Sequence, residues 1–146
     1  MVNKTIFLIE DNADDEALTL RALKKNQIMN TVVVARDGAE ALEYLLGTDT
    51  QDEQQPRELP DVILLDLNLP KISGHEVLQQ IRHHERTKLL PVIILTTSNE
   101  DEDKIKSYQY GANSYVRKSV SFEQFSETIR QLGLYWLQLN EVPRAF

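Results

Sequence analysis

The segment from residue 62 to residue 70 reads VILLDLNLP, and it decides how the rest of the chain is interpreted. Four aliphatic residues precede Asp66, and Pro70 closes the run. Unbroken apolar runs of this length are typical of strands that are covered on both faces of a parallel sheet. Because a charged side chain is rarely buried without a partner, Asp66 within such a segment indicates a special role.

Four further apolar runs have the same character. They are TIFLIE (5–10), TVVVAR (31–36), VIILTT (92–97) and the weaker SYVRK (114–118). Between and after the strands lie stretches with apolar residues at helical spacing, namely 14–25, 38–46, 74–83, 99–110 and 121–140. Strand–helix alternation repeated five times predicts an α/β domain in which a doubly wound parallel sheet carries helices on both faces.

The composition limits the classes of function that the chain can have. Its 146 residues suit one domain with a core, and we interpret 1–146 as a single domain. No apolar run approaches the roughly 18 residues that cross a bilayer. Cysteine is absent, and we expect a cytoplasmic protein. The formal net charge of −7 disfavours binding to nucleic acid or to a membrane, because both require a basic surface.

Two segments depart from the alternation. Residues 47–60 are polar, acidic and without periodicity, which predicts a surface loop insertion. Residues 133–146, which begin GLYWLQL, carry more apolar side chains than one helical stripe holds, and we predict an extended C-terminal helix and tail. A homodimer interface through this region is the interpretation that we favour, and packing on the chain's own domain is the alternative.

Polar residues gather at the ends of the predicted strands. They are, in chain order, Glu10, Asp11, Asp66, Asn68, Thr96 and Lys118. Because the carboxyl ends of parallel strands meet at one edge of an open sheet, we expect these side chains to lie close together. Asp14 and Asp15 are also acidic, but they precede a helix and are interpreted as helix caps.

Carboxylates that converge in this way need a counter-charge. Two like charges about 4 Å apart repel by roughly 4 kcal/mol at an effective dielectric constant near 20, so the group would take up protons or bind a cation. Oxygen ligands without neighbouring His or Cys suit Mg²⁺ better than zinc. An aspartate beside a metal and a lysine can attack phosphorus to form an acyl phosphate. A single aspartate at a strand end is more often a helix cap or a solvated loop residue, so the hypothesis depends on the joint pattern.

These residues also resemble a known family. The acid pair after the first strand, VILLDLNLPKISG, PVIILTTS and YVRKS are similar to the receiver domain of two-component response regulators. The resemblance extends from residue 5 to about residue 132. It is nearest to the small stand-alone regulators that are paired with cyanobacterial phytochromes. It implies a flavodoxin-like sheet of five strands in the order 2-1-3-4-5.

The resemblance implies a role for each strand-end residue. Asp66 would accept a phosphoryl group from a histidine kinase of the phytochrome type, and Lys118 and Thr96 would contact that group. Mg²⁺ would be held by oxygen ligands from Glu10, Asp11, Asp66 and the backbone carbonyl of Asn68. Tyr115 matches an aromatic residue that changes rotamer when the threonine moves, so Thr96 and Tyr115 would form a switch.

One position departs from the family pattern. The family usually has a proline after the lysine, joined by a cis peptide bond, and here the residue is Ser119. A cis bond without proline costs roughly 3–4 kcal/mol. We nevertheless expect the bond between Lys118 and Ser119 to be cis, because Lys118 must still point at Asp66.

The resemblance implies a signalling module that is not an enzyme, since it would promote only its own phosphorylation and dephosphorylation. Two alternatives stay open. An aspartyl-phosphate phosphohydrolase usually needs a second acid two residues after the nucleophile, where this chain has Asn68. A flavin- or nucleotide-binding module would need a glycine-rich turn after the first strand, where this chain has EDNADDE (10–16).

Overall fold

The computed structural model describes residues 4–47 and 58–143, and within them five strands form one sheet. The strands are β1 (Ile6–Ile9), β2 (Val32–Ala35), β3 (Val62–Leu65), β4 (Val92–Thr96) and β5 (Ser114–Arg117). Their order is β2-β1-β3-β4-β5, and every neighbouring pair is parallel. The predicted fold class and strand order are confirmed.

In the described part of the chain, five α-helices connect and follow the strands. They are α1 (Ala13–Lys25), α2 (Gly38–Leu46), α3 (Gly74–His83), α4 (Asp101–Gln109) and α5 (Phe122–Gly133). Four of them begin after a residue whose side chain accepts a bond from a first-turn backbone N–H, namely Asn12, Asp37, Ser73 and Ser121. This bond satisfies a donor that has no partner within the helix.

Apolar residues cover the sheet on both faces. Phe7 belongs to a buried cluster with residues of α2 and α3, whereas its neighbour Leu8 belongs to a second cluster with α1 and α5. Successive side chains of a strand point to opposite faces, so a strand that is buried on both faces, as β1 and β3 are, must be apolar at every position. This explains the unbroken apolar runs in the sequence.

The strand register aligns the carboxyl ends of the strands. Ile9 of β1 pairs with Leu65 of β3, and Leu65 pairs with Ile94 of β4. Thr96 at the end of β4 pairs with Arg117 at the end of β5. The residues that directly follow β1, β3 and β5 are Glu10, Asp66 and Lys118. They therefore emerge at the same edge of the sheet.

The C-terminal helix differs from the prediction of one continuous helix over 121–140. The α-helix ends at Gly133, and a π-helical segment, Leu134–Leu139, continues it. A π-helix bonds residue i to residue i+5, so its side chains leave the stripe that an α-helix would form. Trp136 and Leu137 pack against the cluster around α1 and α5. Three other apolar side chains of the segment are exposed: Leu134, Tyr135 and Leu139.

The peptide bond between Lys118 and Ser119 is trans, so the expectation of a cis bond is wrong. The backbone N–H of Lys118 donates to the carbonyl of Thr96 at 2.7 Å, which extends the alignment of β5 with β4 by one residue. With this trans peptide bond, the Lys118 ammonium still lies 2.9 Å from Oδ2 of Asp66.

Two predicted segments lie partly outside the described residues. Of the loop insertion 47–60, residues 48–57 are not described, and of the tail 133–146, residues 144–146 are not described. Among the helices of the described residues, none is both long enough and apolar enough to cross a bilayer.

Candidate functional site

Asp66 lies at the carboxyl end of β3, and its residue surface is only 5% exposed. Its backbone N–H donates to the carbonyl of Ile9 at 3.1 Å, which continues the pairing of β3 with β1. One carboxylate oxygen, Oδ1, accepts a bond from the backbone N–H of Asn68 at 3.1 Å. The other oxygen, Oδ2, is free to face Lys118. The backbone therefore holds the Asp66 carboxylate in one orientation.

Lys118 is the centre of the charged group at this edge. Its Nζ lies 2.5 Å from Oε1 of Glu10, 2.9 Å from Oδ2 of Asp15 and 2.9 Å from Oδ2 of Asp66. The Lys118 side chain is only 7% exposed. Burial alone would lower the pKa of Lys118, but the three carboxylates raise it far above its usual value. The ammonium is therefore charged over the whole physiological range.

The two most buried carboxylates of the group differ in their pKa. Burial raises the pKa of Glu10 to about 7, and the nearby Asp66 charge adds to this effect although Lys118 opposes it. Burial also opposes the ionisation of Asp66, but Lys118 and the backbone N–H of Asn68 hold the pKa of Asp66 below its usual value. Asp66 is thus the ionised member of the pair at neutral pH.

The donor set of this group suits a hard divalent cation. Within the described residues, carboxylate oxygens of Glu10, Asp15 and Asp66 all lie within 4.8 Å of one another. With all three carboxylates ionised and one ammonium among them, the group has a formal charge of −2, which a divalent cation neutralises. Mg²⁺ prefers carboxylate oxygens and retains water ligands. A bound cation would offset negative charge on a phosphoryl group.

The structure does not bring every predicted ligand into this cluster. Asp11 follows Glu10 directly but is exposed, and it is not a member of the carboxylate cluster found among the described residues. Asn68 is also exposed, and its backbone N–H bonds to Asp66. The metal-binding roles of Asp11 and of the Asn68 carbonyl remain predictions.

Asp15 is the residue that the sequence analysis missed, because it was interpreted as a helix cap. The cap of α1 is Asn12, whose Oδ1 accepts a bond from the Asp15 backbone N–H at 3.0 Å. The Asp15 carboxylate turns instead toward Lys118. A signal was present in the sequence, since Asp15 belongs to the first turn of a helix that starts directly at the carboxyl edge of the sheet.

The predicted switch residues, Thr96 and Tyr115, meet at Ser98. Thr96 is fully buried, and its Oγ1 accepts a bond from the backbone N–H of Ser98 at 3.4 Å. The Tyr115 hydroxyl donates to the Ser98 carbonyl at 2.9 Å. The Ser98 hydroxyl in turn donates to Oδ2 of Asp103 in α4 at 2.6 Å. A movement of Thr96 can therefore reach Tyr115 and α4 through one residue.

Comparison with known families agrees with this geometry. A model described as the response regulator receiver domain matches residues 6–130. The chain therefore belongs to the response regulator receiver family, and the resemblance inferred from its motifs is confirmed.

Two curated relatives match nearly the whole chain. The probable methanogenesis regulatory protein FilR2 of Methanothrix harundinacea (strain 6Ac) is 41% identical over 138 residues, which cover 94% of this chain and 86% of FilR2. The response regulator Rcp1 of Synechocystis sp. (strain ATCC 27184 / PCC 6803 / Kazusa) is 36% identical over 142 residues, which cover 97% of this chain and 95% of Rcp1.

Solved structures of response regulators also match nearly the whole chain. The phosphorylated cyanobacterial phytochrome response regulator RcpA is 37% identical with a TM-score of 0.86, and the match covers 97% of this chain and 99% of RcpA. The Mn²⁺-bound form of Rcp1 is 34% identical with a TM-score of 0.84, covering 96% and 99%. The bacteriophytochrome response regulator AtBRR is 47% identical with a TM-score of 0.73, covering 97% and 100%.

Together, the motifs, the fold and the comparisons define a response regulator of two-component signalling that is similar to Rcp1 and RcpA. Its acidic cluster is suited to a divalent cation, which is Mg²⁺ in receivers.

Proposed function

We propose that Asp66 is the phosphoacceptor of this response regulator. The observation that supports it is the position of the Asp66 carboxylate, which lies 2.9 Å from the Lys118 ammonium within a cluster of three carboxylates. Lys118 keeps Asp66 ionised at neutral pH by lowering its pKa, so the carboxylate is a competent nucleophile.

The other predicted residues have roles that fit this position. Glu10 and Asp11, with Asp66 and the Asn68 carbonyl, hold Mg²⁺. Lys118 pairs with an oxygen of the transferred phosphoryl group. Thr96 contacts a second oxygen of that group, and Tyr115 follows its movement. The added phosphoryl group carries about −1.5 to −2 charge, which is enough to bias the surface between two states.

Incubation with acetyl phosphate and Mg²⁺ tests this proposal. We expect one acid-stable, base-labile phosphoryl group per chain, detected by intact-mass spectrometry, and we expect none in Asp66→Asn. Asp14→Asn is the control, because Asp14 is an exposed acid of α1 that the site does not use. Phosphorylation that persists in Asp66→Asn would refute the assignment.

The same proposal makes the protein a signalling module rather than an enzyme. It promotes its own phosphorylation and dephosphorylation and has no independent substrate. A phosphohydrolase would instead release phosphate from phosphomonoesters over many turnovers, and a flavin-binding module would retain flavin on purification. Phosphate release from p-nitrophenyl phosphate and the visible absorption spectrum distinguish these alternatives.

We further propose a phytochrome-type histidine kinase as the phosphoryl donor and the cytoplasm as the compartment. The likeness to Rcp1, RcpA and AtBRR supports the phytochrome pairing. The chain is also similar to FilR2, so a histidine kinase that is not of the phytochrome type is the second donor to be tested. Initial rates of phosphoryl transfer from one purified kinase of each class decide between them, and a faster rate from the other class would contradict the pairing.

We also propose that two copies associate through the C-terminal region and that the protein binds neither nucleic acid nor membranes. The exposed apolar side chains of the π-helical segment support the first part. The formal net charge of −7 supports the second, because phosphate backbones and anionic lipids require a basic surface.

A further inference from the structure

Asp15 is the third carboxylate that contacts Lys118. Its Oδ2 lies 2.9 Å from Nζ, at the same distance as Oδ2 of Asp66. Asp15 belongs to α1, whereas Glu10 follows β1 and Asp66 follows β3. Lys118 is therefore held by carboxylates from three different parts of the fold, on a side chain that is itself almost fully buried.

Lys118 has two other carboxylate partners, Asp66 and Glu10, and each of them has a further role in the proposed reaction. Phosphorylation would convert one oxygen of Asp66 into the bridging oxygen of an acyl phosphate, and Glu10 would serve as a ligand of the proposed cation. Asp15 belongs to the same carboxylate cluster, but it is not among the Mg²⁺ ligands proposed above, and its side chain is 32% exposed while that of Asp66 is 7% exposed. With that ligand set, Asp15 is the carboxylate that remains available to Lys118 throughout the reaction.

We propose that Asp15 is a positioning residue for phosphoryl transfer, which it serves by holding the Lys118 ammonium at the site while Asp66 reacts. This inference rests on the proposed role of Asp66 as the phosphoacceptor. In the transfer, a bond forms between Oδ2 of Asp66 and phosphorus. The bond between phosphorus and the donor atom breaks, and the donor leaves with that electron pair. With acetyl phosphate the leaving group is acetate, and Asp15 itself forms no bond.

The physical reason is the flexibility of the lysine side chain. A lysine stem has four carbons and many rotamers, so its ammonium stays in one place only where its partners hold it. Once Asp66 and Glu10 are engaged elsewhere, loss of the Asp15 charge leaves Lys118 without a carboxylate to hold it until it pairs with the phosphoryl oxygen. Displacement of a reacting or stabilising group by about 1 Å can cost up to about a hundredfold in rate.

The experiment compares Asp15→Asn with Asp14→Asn. Both substitutions remove one negative charge from the first turn of α1, but Asp14 is exposed and Asp15 contacts Lys118. At saturating acetyl phosphate and Mg²⁺, we expect phosphorylation of Asp15→Asn to be about tenfold slower. We expect Asp14→Asn to stay within about twofold of the parent rate, since exposed charges are screened by salt. Asp15→Glu, which retains the charge, should restore part of the rate.

A double-mutant cycle tests whether Asp15 acts through Lys118. In a Lys118→Met background, the further change Asp15→Asn should alter the rate by less than about twofold, because the positioned group is already missing. If the rate of the double variant is reduced by the product of the two single reductions, Asp15 acts independently of Lys118, and the proposal is overturned.

A spectroscopic readout separates positioning from general damage. The buried Lys118 ammonium should give a slowly exchanging ¹⁵Nζ signal in the parent protein and in Asp14→Asn, and this signal should weaken in Asp15→Asn. Equal spectra and equal rates for the Asp15→Asn and Asp14→Asn variants would overturn the inference. Thermal unfolding confirms that each variant is folded, and if Asp15→Asn is not, Asp15→Ser against Asp14→Ser, which also remove the charge, decides by the same criteria. Failure of Asp66→Asn to abolish phosphorylation would refute the proposed function instead.

Discussion

Glu10 and Asp66 lie beside the same ammonium, yet their ionisation differs. Both are almost fully buried, at 1% and 5% exposure. Asp66 is bonded by Lys118 and by the backbone N–H of Asn68, so its pKa is lowered in spite of burial. Glu10 faces both Lys118 and the charge of Asp66, and burial dominates, so its pKa rises to about 7. Asp66, the proposed nucleophile, is thus ionised near neutrality, where Glu10 is still partly protonated.

The first prediction is that Mg²⁺ affinity increases with pH. A cation that binds Glu10 must displace the proton, so affinity should rise as the pH approaches 7 and level off above it. The slope below pH 7 should not exceed about tenfold per pH unit, because one proton is released. Titration calorimetry between pH 5.5 and 8 measures it. Glu10→Gln should bind Mg²⁺ more weakly with little pH dependence, and a pH-independent parent protein would contradict the prediction.

The second prediction concerns stability without metal. The pKa of Glu10 is about 7 in the folded protein against 4.5 for the unpaired group, so between these values the folded state binds more protons than the unfolded state. The contribution of Glu10 to the free energy of unfolding is therefore fully present below pH 4.5 and declines as the pH rises through 7. Urea unfolding in EDTA at pH 5, 6, 7 and 8 should show this decline, and Glu10→Gln should remove most of it.

At the level of single elements, the loop between β3 and α3 depends on Gly74. A Cβ at this position would lie 2.3 Å from the carbonyl oxygen of Asp66 and 2.6 Å from Cα of Leu67, and both are backbone atoms. The Gly74 N–H also donates to the Leu67 carbonyl at 3.1 Å. Since neither neighbour can rotate away, the start of α3 can approach the end of β3 only with glycine at this position.

The third prediction follows from this close approach. Gly74→Ala should lower the free energy of unfolding by about 1–3 kcal/mol and slow phosphorylation, because the backbone that carries Asp66 must shift. Gly133→Ala is the control, since its Cβ would meet the flexible end of the Ile28 side chain at 2.5 Å. Chemical denaturation and the acetyl phosphate assay measure both effects. Equal stability losses in the two variants would argue against a special role for Gly74.

Arg82 connects α3 to the segments that precede β4 and β5. Its guanidinium donates to three backbone carbonyls, those of Gly111, Lys88 and Leu90, at 2.9, 3.0 and 2.7 Å. It also donates to Oδ1 of Asn113 at 2.9 Å. Because the donors point in fixed directions from one planar group, a lysine ammonium cannot replace them.

The fourth prediction is that Arg82→Lys costs about 2–3 kcal/mol of stability, because several carbonyls lose a charged donor. Arg130→Lys is the matched control. Arg130 pairs with Glu127 on the surface, and exposed ion pairs contribute little to stability. Urea denaturation of both variants gives the comparison, and a loss for Arg82→Lys no larger than for Arg130→Lys would contradict it.

At the level of the whole molecule, the π-helical segment has an apolar surface that no other part of the described chain covers. Leu139 is 64% exposed, and Leu134 and Tyr135 are exposed beside it. The residues of the segment that face inward, Trp136 and Leu137, pack on the cluster around α1 and α5. The segment is thus attached to its own domain and still presents an apolar surface outward.

The fifth prediction is that this surface mediates the proposed dimer. Leu139→Glu should weaken self-association at least about tenfold, because a charge would be buried at the interface. Met29→Glu is the control, since Met29 is 78% exposed and lies in the connection between α1 and β2. Sedimentation velocity, with and without a beryllofluoride mimic of the phosphoryl group, measures the association. Equal dimerisation of the two variants would place the interface elsewhere.

The fold could be predicted because its signals are local. The apolar runs around Phe7 and Ile63 are buried on both faces, and a parallel sheet needs this at every position of a strand. The ends of the elements were harder, since α4 begins at Asp101 rather than at residue 99. The helical stretch expected over 121–140 is helical as far as Leu139, but it is a π-helix beyond Gly133, because apolar spacing does not distinguish an α-helix from a π-helical continuation.

The site could be predicted only in part. Asp66, Glu10 and Lys118 were found because they directly follow strands that must share one edge. Asp15 was missed, because an acid in the first turn of a helix is ordinarily explained by the helix dipole alone. The bond between Lys118 and Ser119 was expected to be cis, but the N–H of Lys118 already reaches the Thr96 carbonyl with a trans bond.

The order of residues in the sequence therefore establishes the layered α/β architecture, the residue types at the edge of the sheet and the membership of the receiver family. These depend on periodicity and on spacing along the chain, which are visible without coordinates. Three-dimensional packing decides which carboxylates share the ammonium of Lys118 and which of them carries the charge. Burial and distances of a few ångströms control those properties, and they arise only when separate strands and a helix meet.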